Sequence, residues 1–187
     1  MADVAVAPVS GDQSLLLADY RTACDAFADA IRAAREFRDA PTPAPEGDVR
    51  AVLEHVFGVH DGLLLQPLGV RPDSPEDDPE ARWAATVAAL FPALEQPGAL
   101  DKRELLIGIV TTDVLIHSWD LSRAAGATVP LDPGLCQSGF DRALANKRVL
   151  QESGALGAPV AVPADATVQD QLLGLFGRDP NWCQPVS

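Results

Sequence analysis

The chain has 187 residues and is 47 % hydrophobic, enough for one globular domain with a substantial core. Its 27 acidic residues against 14 basic ones give a formal charge of −13, which repels phosphate backbones and anionic lipid and so argues against nucleic-acid or membrane-surface partners. Cys24, Cys136 and Cys183 form no CxxC pair, and the opening "MADVAVAPVSGD" has no secretory character, so a reduced, cytoplasmic protein is expected.

Residues 1–11 read as a flexible leader and 12–187 as one domain. Over 13–38, Leu16, Tyr20, Phe27 and Ile31 recur at helical spacing, with Cys24 and Ala34 filling the stripe. The prolines of "DAPTPAPEG" stop that helix, and Asp48 is a natural N-cap for a second, "VRAVLEHVFGVHDGLLL". Its apolar face is Val49, Val52, Leu53, Val56 and Phe57; Gly58 weakens its later half. After the acidic loop "PLGVRPDSPEDDPE", a third helix fits 79–96, with Pro92 expected to kink or shorten it.

The fourth helix, 101–125, is apolar on nearly every side and closes at Gly126, which marks it as central. Its run "LLIGIVTTDVLIHSW" reads as too short and too polar to span a bilayer. A fifth helix follows over 132–154, with Asp132 as cap and Pro133 in its first turn, and a short one over 167–176. Only "PVAVP" alternates like a strand. The expected architecture is all-α, an up-down helical bundle with additional C-terminal helices.

Within the fourth helix, "DVLIHSWDL" places Asp113 and His117 one turn apart on one face, with Asp120 within about 20° of Asp113. A carboxylate and an imidazole at i, i+4 can hold a divalent cation; a third ligand must then come from another helix. Of the two remaining histidines, His55 lies among the apolar residues of the second helix and is chosen. His60, about 140° further round, is assigned to the surface or to a supporting position. The same spacing also suits a plain hydrogen-bonded couple, with Asp120 capping or pairing with Arg123. No general base stands out; His60 and Glu54 are the candidates.

From residue 12 onward the chain resembles the DinB-like proteins, and within them the single-domain members of the mycothiol-dependent maleylpyruvate isomerase-like metal-binding group. "TPAPEGDVRAVLEHVFG" is similar to the family's Thr-Pro-Cys-Pro-Gly-Trp-Thr-Val-Arg-Asp-Leu-Leu-x-His motif. "DVLIHSWDLSRAAG" is similar to its Asp/Glu-x-x-x-His-x-Trp-Asp-Leu-x-x-Ala-x-Gly motif, and "DPGLCQSGFDRAL" and "PVAVPADATVQDQLLGLFGRDPNW" to its closing segments. Departures are Glu46-Gly47 in place of Gly-Trp, Ala44 in place of Cys, and Asp113 where the isomerases carry Glu.

The resemblance implies a DinB-like four-helix bundle holding a divalent metal on His55, Asp113 and His117, with Asp120 in support and Trp119 in the core. Zinc is the default; nickel or iron also suits two imidazoles and a carboxylate. The implied activity is a mycothiol-dependent transferase or isomerase acting on a small electrophilic metabolite, in a monomer or homodimer. The alternatives are a hydrolase or tailoring enzyme using metal-bound water, and a non-catalytic metal- or ligand-binding stress protein.

Overall fold

The structure, a computed structural model, describes residues 11–152, 154 and 156–185, and every regular element among them is helical. Of the leader expected at 1–11, residues 1–10 lie outside the described residues, and Gly11 begins the first helix, α1 (Gly11–Ala34). The stripe read from the sequence is the buried face. Tyr20, Cys24, Phe27, Ile31 and Ala34 are buried and Leu17 joins them, whereas Leu16 is only partly covered.

α2 (Val49–His60) starts where Asp48 accepts the Ala51 N–H over 2.8 Å, as its capping residue should. All five apolar residues of its predicted face are buried. Gly58 does not end it. The chain widens into a π-helical turn at Asp61–Leu65, passes through α3 (Gln66–Leu68), and stops at Gly69, whose φ of 67° no longer fits a helix.

Asp78 caps α4 (Pro79–Leu94). Pro92 does not end this helix, which runs on two residues past it; so near a C-terminus, a missing N–H costs only one ladder bond.

α5 (Glu104–Ala124) begins three residues later than expected because 101–103 form a turn, with Lys102 at a φ of 64°. It is the central helix. α1, α2 and α6 (Pro133–Ala145) pack against it, while α4 packs on α1. By length and composition α5 would reach across a bilayer, contrary to the estimate from its apolar run, but 78 % of its most apolar window is buried inside the protein. That window faces other helices.

The single helix expected over 132–154 divides. Asn146 turns its side-chain amide onto the Arg142 carbonyl (2.9 Å), ending α6, and α7 (Lys147–Glu152) follows. α8 (Val168–Leu175), capped by Thr167, packs on α6. "PVAVP" is no strand: its flanking prolines lack N–H groups, and the Val160 N–H goes to the Gly174 carbonyl of α8 (2.8 Å). A Cβ at Gly174 would stand 2.7 Å from the Val160 oxygen, so this approach requires glycine. Cys24 and Cys136 are buried free thiols, and Cys183 is free and exposed.

Candidate metal centre

Helical period alone aligns Asp113, His117 and Asp120 on α5; what they meet depends on packing. His117 Nδ1 donates to Asp120 Oδ2 over 2.9 Å, and both residues are buried. That bond turns the other ring nitrogen, Nε2, toward Asp113 Oδ1, 3.5 Å away. From α2, His55 Nε2 approaches the same oxygen at 3.3 Å, and the two imidazole centroids lie 4.9 Å apart. The structure therefore brings together His55, Asp113 and His117, the three residues selected from the sequence. Around a tetrahedral cation with bonds of 2.0–2.1 Å, ligand atoms are separated by about 3.3 Å, close to the two carboxylate–imidazole spacings.

A fourth group was missed. Glu46 Oε1 lies 3.7 Å from His55 Nδ1. Glu46, His55 and His117 each offer a donor atom within 4.8 Å of the others, a group able to hold a metal ion. Glu46 sits in the loop before α2, which is closed on itself by Thr42 N–H to Gly47 O (2.7 Å) and Val49 N–H to Ala40 O (3.1 Å). Gly47, at a φ of 105°, supplies the backbone conformation that turns this loop. No periodicity marks a loop carboxylate; its one sequence signal was the departure from the family's Gly-Trp.

The electrostatics favour charge here. Burial works against an imidazolium at His117, but the Asp113 charge and hydrogen bonds to Asp113 and Asp120 outweigh it and raise its pKa to about 10. Burial also opposes ionisation of Asp113, yet His117 and His55 hold its carboxyl well below the usual carboxylate range. Among the described residues two buried oxygens have no hydrogen-bond partner, Glu46 Oε2 and Asp113 Oδ2, and Arg178 Nη2 stands 4.0 Å from the former. Unsatisfied buried carboxylate oxygens are costly, and two imidazoles beside them form a nitrogen–oxygen donor set suited to a divalent cation.

Asp120 accepts the His117 Nδ1 hydrogen, but its cationic partner is not Arg123. Arg123 turns to the Trp182 carbonyl and Thr128, while Arg178, beyond α8, donates to Asp120 Oδ2 at 2.9 Å and to the Phe176 carbonyl at 2.9 Å. Arg178 is a site residue that sequence reasoning missed, because an arginine in "GRDP" looks like ordinary helix-ending surface. Trp119 is buried in the core, as expected.

His60 belongs to neither the surface nor the centre. It is fully buried; its Nδ1 donates to the Val56 carbonyl (2.7 Å), so its Nε2 accepts from the Tyr20 hydroxyl (2.7 Å). Its turn of α2 faces α1, so it is a satisfied core residue and no base for the site. Glu54 is exposed and faces Arg82 at 3.6 Å, which removes the second candidate base.

Beside the donors lies a cavity of about 330 Å³, lined by Val59, Leu63, Ile109, Ile116, Leu150 and Phe176 among others, with Glu46, His55, Asp113, His117, Arg142 and Arg178 in its wall. A mostly apolar chamber with a few convergent polar groups is the usual form of a small-molecule site.

The chain is 31 % identical over 177 residues to the uncharacterized protein Rv0738 of Mycobacterium tuberculosis strain H37Rv, covering 85 % of this chain and 95 % of the relative. It matches the uncharacterized protein MT0763 of Mycobacterium tuberculosis strain CDC 1551 / Oshkosh to the same extent. No family model and no solved structure matches the chain.

Proposed function

The chain belongs to the family of these two mycobacterial proteins, and from its donor cluster we propose that it is a divalent-metal-dependent enzyme of the DinB-like class. The observation that carries this proposal is the meeting of His55 from α2 with Asp113 and His117 from α5, at 3.3 and 3.5 Å, on the wall of an apolar cavity. The long helices α1, α2, α4 and α5 suit the up-down four-helix bundle of that class.

In this proposal His55, His117 and Asp113 hold the cation, with zinc as the first candidate and Glu46 as the competing carboxylate. When bound, the metal supplies Lewis acidity that lowers the pKa of a thiol or water beside it. Asp120, locked by Arg178, keeps the His117 Nδ1 proton in place and so aims Nε2 at the site. In this reading Glu46, whose Oε2 has no hydrogen-bond partner among the described residues, receives the proton that the nucleophile gives up. The apolar wall limits competing water.

The activity that fits best is transfer or isomerisation of a small electrophilic metabolite through a low-molecular-weight thiol such as mycothiol, in a cytoplasmic protein. The cavity's modest volume favours a second reading as well. At about 330 Å³ it lies at the lower end of small-molecule pockets, so a thiol of mycothiol's size would extend out of it, whereas hydrolysis needs only water there.

Elemental analysis of untagged protein and of His117→Ala tests the centre. One metal equivalent in the wild type and none in the variant are expected; equal content in both overturns the proposal. Turnover of an electrophilic substrate that requires added thiol then separates the first activity from the second.

A further inference from the structure

The cavity contains a cation that the metal proposal does not use. Arg142, on α6, lies across α5 at Gly108: a Cβ there would stand 2.6 Å from its Cζ, so the missing side chain makes its seat. Its Nη1 donates to the Gly108 carbonyl (2.9 Å) and to Thr112 Oγ1 (3.1 Å), and Thr112 Oγ1 donates in turn to that carbonyl (3.0 Å). Both acceptors are neutral. Among the described residues no carboxylate comes within ion-pair distance of Arg142, and Asp19 acts on it only from further off. The other cavity guanidinium, Arg178, is already paired with Asp120. In a chain with 27 acids to 14 bases, a half-buried arginine that faces a cavity and has no carboxylate partner among the described residues is suited to hold an anion.

We infer that the cavity binds a small apolar carboxylic acid, its carboxylate held by Arg142 and its hydrocarbon body laid along Ile109, Leu63, Leu150 and Phe176. The guanidinium fork matches a carboxylate in plane, with Nε and Nη2 not committed to any described acceptor. A phosphate is disfavoured: its second charge would face Glu46 and Asp113 in the same wall, with no further unpaired cation among the described lining residues. Gly108 precedes Asp113 by five residues, about 7.5 Å along α5, so the end away from the carboxylate reaches the imidazoles. That placement of the reacting end rests on the metal proposal; the grip of Arg142 on the carboxylate does not.

Octanoate, with its ten non-hydrogen atoms, and the neutral isostere octanamide are suitable probes, titrated calorimetrically into full-length protein both chelator-treated and zinc-loaded. The wild type should bind octanoate about ten- to a hundredfold more tightly than octanamide in both forms, the range of a charged hydrogen bond. Arg142→Met should abolish the preference, Arg142→Lys should keep part of it, and His117→Ala should keep it whole. Equal binding of acid and amide by the chelator-treated wild type overturns the inference without need of any variant, as does a preference that survives Arg142→Met. A preference seen only with zinc assigns the carboxylate to the metal: the inference then fails and the metal centre stands. Preference intact in a wild type that takes up no metal has the opposite meaning.

Discussion

Arg178 donates to Asp120 Oδ2 across 2.9 Å although 58 residues separate them, and that same oxygen accepts the Nδ1 hydrogen of His117. The segment beyond α8 thus closes over the central helix and neutralises the carboxylate that aims the imidazole.

Replacing Arg178 with Met takes the guanidinium from the buried Asp120 carboxylate and leaves it only the His117 ring as a charged partner. A loss of about 3–5 kcal/mol is expected in urea unfolding. Zinc affinity should fall about 10- to 100-fold, as for other groups that orient a ligand without touching the metal. Unchanged stability and affinity would mean that the pair does not tie the segment to the site.

Two carboxylates compete for the cation, and their positions differ in a testable way. Asp113 Oδ1 lies 3.3 and 3.5 Å from the two Nε2 atoms, whereas Glu46 faces the Nδ1 of His55 at 3.7 Å, much as Asp120 faces the Nδ1 of His117. Asp113→Asn should therefore abolish stoichiometric metal, and Glu46→Gln should weaken it only about 10- to 100-fold. The reverse order, read by dialysis and elemental analysis, would assign the ligand set to Glu46, His55 and His117.

Metal uptake should release a proton. In the metal-free protein His117 titrates at about 10, so near neutrality it carries hydrogens on both nitrogens. A cation on Nε2 must displace one of them, and apparent affinity should rise with pH up to that value. Calorimetry in two buffers of different ionisation enthalpy measures the number released. Identical heats in both buffers would contradict the imidazolium.

His60 gives an acid limb to stability. Burial disfavours its charged form and lowers its pKa from the ordinary 6.5, despite the Val56 carbonyl and nearby acids such as Asp113 and Asp61. Between its folded pKa and 6.5 the unfolded chain binds more protons, so this contribution is complete above 6.5 and is lost as pH falls toward the folded value. Tyr20→Phe, which leaves Nε2 without its donor, should cost about 1–3 kcal/mol at neutral pH and leave metal content unchanged. A loss of metal in that variant would tie His60 to the centre after all.

Much of this protein is readable from local pattern. Helical period and the capping residues Asp48 and Asp132 place α2 and α6, and the apolar surround of α5 marks it as central, because a helix repeats every few residues and must bury the stripe it presents. The Asp113–His117–Asp120 ridge follows from the same arithmetic. His55 could be preferred to His60 because the two lie on different faces, although His60, assigned to the surface or to a supporting position, in fact points at Tyr20.

Tertiary structure decided the rest. Glu46, Arg142 and Arg178 come from a loop, a neighbouring helix and the segment after the last helix, where no period constrains a charged side chain. Their meaning appears only when packing removes water from around them, since a carboxylate or guanidinium is unremarkable in solvent and must find a partner once buried. The polar ridge was inherent in the order of residues; the partners that turn it into a site were set by the folding of distant segments onto α5.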